Sequence, residues 1–179
     1  MNEILILGAG YTGMAATTGL VGRLKGRGDV HITLVNPQAR FTERLRLHQT
    51  ACGQDLADLQ IPDQLEGTGV EFVQGWVTAI DADSQTVRID DAYALRYDTL
   101  IYALGSVADT ETVPGVDEFA YTLNSAQDAT LLADHLDRPA VGTVVVAGGG
   151  LTGIESAAEI AEQHPELDLV LLSVRCPDR

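Results

Sequence analysis

Cysteine is scarce in this sequence of 179 residues. The two cysteines, Cys52 and Cys176, are far apart and form neither a CxxC nor a CxxxxC pair. This spacing gives no support for a disulfide framework, a zinc site or a redox-active pair of neighbouring thiols. The sequence therefore predicts no metal site and no dithiol chemistry of local spacing.

Long hydrophobic runs are also missing, although 45% of the residues are hydrophobic. No apolar run approaches the roughly 20 residues that a membrane-spanning helix needs. The N-terminus lacks the charged region and the small-residue cleavage site of a secretory signal. We therefore expect a globular, cytoplasmic protein with no integral membrane segment.

Positively charged residues are scarce as well. Lysine and arginine together number 11, with Lys25 as the single lysine, against 26 aspartates and glutamates, and the net charge is −15. Such a surface repels the phosphates of nucleic acids and of anionic lipids. Nucleic acids and membrane surfaces are therefore not expected as partners.

The N-terminal segment has the pattern of a strand, a helix and a second strand. The apolar strand EILILG runs into the turn GAGYTG, a helix follows, and VHITLVN is the next apolar strand. Two such strands joined through a helix are expected to pair in parallel with a right-handed crossover. This is the first repeat.

The same pattern returns 140 residues later, as a second repeat. The strand GTVVVAG precedes its turn, and LDLVLLSV follows its helix. One isolated glycine-rich turn is a weak signal, but two on the same strand–turn–helix pattern are a strong one. The matching positions are Gly8, Gly10, Thr12 and Gly13 in the first repeat and Gly148, Gly150, Thr152 and Gly153 in the second.

Turns of this kind bind dinucleotides. The N-terminus of a helix offers free N–H groups and the positive end of the helix dipole, which together receive a pyrophosphate. The first glycine permits a tight turn, the second lets the backbone approach the pyrophosphate, and the third lets helix and strand pack closely. We predict these roles, in that order, for the three glycines of each repeat.

The end of each second strand is where an acidic residue usually binds a ribose hydroxyl. Asn36 and Ser173 occupy these places. An asparagine can still donate or accept a hydrogen bond to the ribose. The neutral Ser173, with Arg175 two residues later, tolerates a 2′-phosphate, so that the second site leans slightly towards NADPH over NADH.

The chain between the repeats gives weaker signals. Residues 36–69 are expected to contain the loop RFTERLRLHQ and a short helix around Leu56–Leu59. The helix-poor stretch 70–97 is expected to form short antiparallel strands, and TLIYALG to form another buried strand. These elements place a small antiparallel insert inside an α/β protein.

The two turns and the segment YDTLIYALG between them resemble the flavoproteins with two dinucleotide-binding domains, the pyridine nucleotide-dependent FAD oxidoreductases. The similarity is greatest to the branch of type II NADH dehydrogenases and apoptosis-inducing-factor-like reductases. It covers nearly the whole chain and includes the pattern GxGxxGxExA from Gly148 to Ala157. It implies an α/β fold of the FAD/NAD(P)-binding Rossmann-like type, a doubly wound parallel sheet with a small antiparallel insert and an incomplete second Rossmann unit.

In that family the first turn binds FAD. The resemblance therefore places Thr12, Ala103 and Gly105 beside FAD, and the backbone of Val77 at its adenine. Leu104 departs from the pattern, since a threonine is usual there.

The loop RFTERLRLHQ would approach the flavin in such a protein. Arg40 and Arg44 are candidate contacts to a phosphate or to the flavin. His48 and Cys52 follow closely, but a structural hydrogen bond and a plain small side chain are the expected roles for them.

The second turn binds NAD(P)H in the family. Thr152 and Glu155 are expected at this site, with Glu155 on the first turn of the second helix, either facing the nicotinamide or complementing the helix dipole. No catalytic residue is assigned, because hydride transfer between the cofactors requires no acid or base from the protein.

Three segments are expected: residues 1–110 as the N-terminal part of the FAD-binding domain, 111–140 as linker and helix, and 141–179 as the start of the NAD(P)H-binding domain. In the resembled family the chain then returns to the FAD domain and ends in an interface domain that often makes a dimer. We expect these parts to be missing, as in a shortened chain, a shifted reading frame or one piece of a split protein. A homodimer is expected only of a completed protein.

The function implied is that of a FAD-dependent NAD(P)H oxidoreductase. Hydride would pass from nicotinamide to flavin, and electrons would continue to a quinone, a ferredoxin-like protein or another acceptor. The chain by itself is expected to lack turnover. Two alternatives stay open, a non-catalytic nucleotide-binding fragment and an NAD(P) dehydrogenase with a single Rossmann domain, although the repeat argues against the second.

Overall fold

A computed structural model describes residues 1–138 and 142–173 of the chain. It divides into two compact units, which are described separately. The first unit comprises Met1–Thr42 and Asp58–Ser106, and the second comprises Glu43–Ala57 and the residues from Val107 onwards. Glu43–Ala57 thus belongs to the second unit although it lies between two parts of the first in sequence. The predicted domain boundaries at residues 110 and 140 stay a prediction.

A strand, a helix and a strand alternate in each of the two repeats, and five strands follow one another in the chain between them. In order they are β1 (Asn2–Leu7), α1 (Tyr11–Leu24), β2 (Val30–Asn36), α2 (Leu47–Ala51), α3 (Ile61–Leu65), β3 (Glu71–Gln74), β4 (Val77–Asp81), β5 (Thr86–Ile89), β6 (Tyr93–Arg96), β7 (Thr99–Tyr102), α4 (Val116–Phe119), α5 (Ala126–Leu136), β8 (Thr143–Ala147), α6 (Leu151–Gln163) and β9 (Asp168–Leu172).

The first unit is built on a parallel sheet in the order β3-β2-β1-β7. Successive side chains of a strand alternate between the two faces of its sheet. Ile6 and Leu34 accordingly belong to a core with Met14 of α1 and Ile61 of α3, while Leu5 and Leu7 belong to a second core. The last four residues of the central strand β1 form a continuous apolar run, as the sequence predicts for a strand covered on both faces. The prediction was wrong for β7, which is an edge strand whose residues are half-buried or exposed and not buried.

The second core of the first unit includes the antiparallel sheet β4-β5-β6. Val87 and Ile89 of β5 are fully buried against Leu5, Leu7 and Val35. The predicted antiparallel insert is therefore present. The prediction was wrong for β3, which pairs in parallel with β2 and belongs to the main sheet.

The helices between β2 and β3 differ from the prediction. No helix forms at Leu56–Leu59, and the predicted loop RFTERLRLHQ contains a 3-10 turn, Arg44–Arg46, and most of α2. Ile61 and Leu65 lie one helical turn apart and are both buried, which gives α3 its apolar side. Burial in the tertiary structure therefore decides the position of these short helices.

The second unit contains β8 and β9, paired in parallel, with α6 between them in sequence. Val144, Val146 and Leu169 pack with Ile160 of α6 and Leu136 of α5. The helix α5 begins with the predicted N-cap, since the Ser125 hydroxyl accepts a hydrogen bond from the Asp128 N–H and the Asp128 carboxylate accepts one from the Ser125 N–H. No helix within the described residues is long and apolar enough to cross a membrane.

Candidate dinucleotide-binding sites

The first glycine-rich turn begins where β1 leaves the sheet. Gly8 has φ +93°, a left-handed conformation that side chains disfavour. A Cβ on Gly8 would overlap the carbonyl oxygen of Ala103, which follows β7 and donates its N–H to Leu7 O at 2.8 Å. The chain therefore reverses direction tightly against the neighbouring strand, as predicted for the first glycine.

Gly13 brings helix α1 against the turn. A Cβ on Gly13 would overlap the carbonyl oxygen of Gly8 and lie 2.9 Å from its carbonyl carbon. The buried Thr17 hydroxyl donates to Gly13 O at 2.8 Å and fixes the helix one turn further on. Close packing of helix and turn is the role predicted for the third glycine.

Gly10 faces open space at the start of α1. It is the N-cap of the helix, with an extended backbone, and a Cβ there would meet nothing within 4 Å. No side chain caps this N-terminus, and its first turn contains no acidic residue. The N–H groups and the dipole end of α1 are thus available to an anion, and Thr12 is exposed beside them. This geometry fits the pyrophosphate of a dinucleotide.

Asn36 connects the end of β2 to the turn. Its Oδ1 accepts a hydrogen bond from the Ala9 N–H at 2.9 Å, and its Nδ2 donates to Gln38 O at 2.7 Å. The side chain therefore holds the glycine-rich turn, a structural role that the sequence did not reveal. A contact between Asn36 and a ribose stays a prediction, and the amide retains one donor and one acceptor position for it.

We expect Asn36→Ala to lower the free energy of unfolding of the first unit by about 1–2 kcal/mol, because two hydrogen bonds are lost and the Ala9 N–H loses its acceptor. Asn36→Asp, which keeps the acceptor oxygen, is the matched control and should recover part of the loss. Chemical denaturation of the three proteins measures the difference. Equal stability of Asn36→Ala and the parent chain would contradict a structural role for this amide.

Other residues predicted at the first site lie near the ends of strands. Ala103 and Gly105 follow β7, and Gly105 has φ +76°. Val77 begins β4 and is half-buried, whereas Leu104 is exposed. Since β1, β2 and β7 are parallel, their carboxyl ends share one edge of the sheet, where ligands bind in such folds. Contact of these residues with FAD stays a prediction.

The two arginines predicted near the flavin fall in different units. Arg40 lies in the first unit, where its Nε is 3.2 Å from Asp58 Oδ1 and its backbone forms a bridge to Gln60. Arg44 begins the 3-10 turn and belongs to the second unit. Their flavin or phosphate contacts therefore stay predictions.

The second turn repeats the geometry of the first. A Cβ on Gly153 would overlap the carbonyl oxygen of Gly148 and lie 2.9 Å from its carbonyl carbon, and Gly148 has φ +137°. Gly150 is the N-cap of α6 and, like Gly10, has open space around its missing side chain. The N-terminus of α6 also lacks a side-chain cap and an acidic first turn.

Gly149 was not among the predicted site residues. A Cβ there would overlap the Ser173 hydroxyl and lie 2.6 Å from Ser173 Cβ. The run of three glycines from Gly148 was the signal that the chain approaches a neighbour closely here. Ser173, the residue after β9, thus lies directly beside the turn. In the first unit the corresponding place is taken by Asn36, the last residue of β2, while Arg175 lies outside the described residues.

The placement of Glu155 on the first turn of α6 was wrong. The helix begins at Leu151, so Glu155 is its fifth residue and lies beyond the N–H groups that the helix leaves unpaired. Both Glu155 and Thr152 are exposed. Their contact with NAD(P)H stays a prediction. Glu155 does not complement the dipole at the N-terminus of α6, because it lies beyond the first turn.

Cys52 is buried in the second unit among Leu136 and Ile160. Burial, aided by the nearby Glu159 carboxylate, raises the pKa of its thiol to about 11. The reactive thiolate is therefore strongly suppressed at neutral pH, in agreement with a plain packing role. The half-buried His48 lies on α2, and no group of metal-ligating side chains occurs in the described parts of the chain.

Comparison with known proteins identifies relatives of this chain. The chain is 34% identical over 173 residues to an NADH dehydrogenase-like protein of Mycobacterium tuberculosis, covering 89% of this chain and 42% of that protein. It is 29% identical over 181 residues to the type II NADH:quinone oxidoreductase of Staphylococcus aureus, covering 93% and 44%. The chain thus spans less than half the length of these relatives.

Solved structures also match nearly all of this chain and less than half of their own length. The NADH:rubredoxin oxidoreductase of Clostridium acetobutylicum superposes with a TM-score of 0.75 at 28% identity, over 96% of this chain and 44% of that chain. The NDH2 of Plasmodium falciparum superposes with a TM-score of 0.78 at 23% identity, over 96% and 41%, which supports the fold. The predicted family, fold class and cofactor pair, FAD with NAD(P)H, are confirmed at the level of the family. Residues 2–176 match the family model of the pyridine nucleotide-disulphide oxidoreductases, and the chain belongs to this family.

Proposed function

We propose that this chain supplies the two dinucleotide-binding turns of a FAD-dependent NAD(P)H oxidoreductase, with FAD at the first turn and NAD(P)H at the second. The observation that carries the proposal is the shared geometry of the turns. In each of them the third glycine packs on the carbonyl of the first, and the second glycine opens onto a free helix N-terminus. A dehydrogenase with one Rossmann domain needs only one such turn.

Each helix N-terminus would bind and orient a pyrophosphate through N–H groups that the protein leaves unpaired. Gly10 and Gly150 would admit the phosphates, while Asn36 and Ser173 would line the ribose of the nucleotide above them. The bound cofactors would supply the redox chemistry, which is hydride transfer from nicotinamide to flavin. The protein's part is therefore binding and orientation.

The reductant and the acceptor are further parts of the proposal. The names of the two curated relatives specify NADH, which favours NADH over the NADPH that Ser173 suggested. The relatives' names also include a quinone and a rubredoxin as acceptors, so we propose a quinone or a small electron-transfer protein. A cytoplasmic location and a homodimer of the whole protein are proposed on sequence grounds alone.

The test is equilibrium dialysis of the purified chain against FAD and against NADH, first separately and then together. Two separate turns predict one bound molecule of each dinucleotide per chain, and an excess of NADH should leave most of the FAD bound. NADPH in place of NADH measures the preference of the second site.

Two results would contradict the proposal. Full mutual displacement of FAD and NADH would indicate one common site, as in the single-domain alternative. Failure of both dinucleotides to bind at millimolar concentration would remove the cofactor function from this chain. Uridine diphosphate, which has a diphosphate but no adenine, serves as the control for binding through phosphates alone.

A further inference from the structure

Trp76 is the only tryptophan of the sequence, and it is 64% exposed. A large aromatic ring in water is unusual for a residue that follows a strand of the main sheet, because tryptophan is highly buried on average. The residue before it, Gly75, is buried, and the residue after it, Val77, is half-buried. Trp76 is therefore exposed although neither of its two neighbours in sequence is.

The backbone of Trp76 is held firmly in place. Its N–H donates to Asp90 Oδ1 at 2.8 Å, and its carbonyl oxygen accepts from the Asp90 N–H at 2.9 Å. Gly75 fits tightly beside it, since a Cβ there would overlap the Ile89 side chain and lie 2.7 Å from Asp90 Oδ2. The indole thus extends from a fixed backbone position, so that only its two side-chain torsions have to be ordered on binding.

The strand order of the main sheet determines which part of a bound dinucleotide would lie beside Trp76. A pyrophosphate at α1 sits at the end of β1, and the ribose position is at the end of β2, the next strand. Continuing in the same direction, the next strand is β3, and Trp76 follows its end. Gly75 donates its N–H to Asn36 O at 3.1 Å, which places Trp76 next to the residue at the ribose position.

We propose that the indole of Trp76 is an aromatic platform for the adenine of FAD bound at the first turn. This inference rests on the proposed function, because it requires a dinucleotide at α1. The adenine is attached to the ribose on the side away from the pyrophosphate, which is the side of β3. Stacking of a base on an aromatic ring is favourable and independent of charge, and therefore suits an acidic protein with little positive charge.

The experiment titrates the chain with adenosine diphosphate and follows tryptophan emission, since Trp76 is the single indole. Adenosine diphosphate contains the adenine end of FAD and does not absorb where indole emits. We expect saturable quenching, and about tenfold weaker binding of uridine diphosphate, whose base has a smaller ring system. Gly10→Val should abolish the quenching, whereas Gly150→Val should leave it, so that the signal is assigned to the first turn.

Calorimetry of the variants completes the test. Trp76→Phe, which keeps a planar ring, should bind adenosine diphosphate within about threefold of the parent chain, and Trp76→Leu about tenfold more weakly. Equal affinity of the Leu and Phe variants, or Gly10-dependent binding without quenching, would overturn the platform and leave the proposed function intact. If neither FAD nor adenosine diphosphate binds, the proposed function and this inference are both wrong.

Discussion

Gly10→Val is expected to abolish FAD binding at the first turn while the chain stays folded. The valine side chain meets no protein atom, because nothing lies within 4 Å of a Cβ at Gly10, and the extended backbone there suits any residue. It would instead occupy the space of the pyrophosphate in front of α1. Two lost charge-assisted hydrogen bonds correspond to about 3 kcal/mol or more, which is a loss of affinity of roughly 100-fold.

The matched variant is Gly150→Val, which makes the same change in front of α6. It should weaken NAD(P)H binding by a similar factor and spare FAD. Equilibrium dialysis measures both ligands for both variants, and denaturation curves within about 1 kcal/mol of the parent chain show that the fold survives. If Gly10→Val lost NAD(P)H and kept FAD, the assignment of the cofactors to the two turns would have to be exchanged.

Gly13→Ala is expected to have the largest effect on stability. The added methyl group would overlap the carbonyl oxygen of Gly8, which is backbone and cannot rotate away. Either α1 must separate from the turn or the turn must change its conformation, and Gly8 is already fixed against Ala103. We expect a loss of about 3 kcal/mol or more in the free energy of unfolding of the first unit.

Helix α1 contains its own controls. Gly19 and Gly22 lie in the same helix, are exposed, and have nothing within 4 Å of an added Cβ. Their replacement by alanine should stabilise the helix by roughly 0.5–1 kcal/mol, because alanine loses less backbone entropy. Hydrogen exchange of the β1 amides reports the first unit separately from the second. A Gly13→Ala chain as stable as the parent would mean that helix and turn are not packed as described.

The glycine-rich turns could be predicted from the sequence because their geometry is local. The three glycines of each turn lie within six residues, and the backbone conformations that they permit are set by those residues alone. The flanking strands could also be predicted, since a parallel strand covered on both faces forms a nearly continuous apolar run in the sequence. For the same reason the fold class followed from two short segments and the apolar strands around them.

The chain between β2 and β3 could not be predicted in this way. Helices as short as α2 and α3 are not stable by themselves, and they form where Leu47 and Ile61 find partners distant in the sequence. The hydrogen bond from Ala9 to Asn36 spans 27 residues and leaves no local pattern. Glu155 was misplaced because helix ends are the least certain part of a sequence-based assignment.

The hydrogen bond between Asn36 and Ala9 also bears on how a cofactor would arrive. The turn is tied to the end of β2 by the protein's own atoms, so the ligand need not organise it. The turn is thus preorganised, and the chain loses little conformational entropy when a ligand binds to it. Uptake of the adenine end would then be limited by diffusion and by electrostatic repulsion between the phosphates and a chain of net charge −15. Raising the salt concentration should therefore hasten the encounter, the reverse of what a basic nucleotide-binding protein shows.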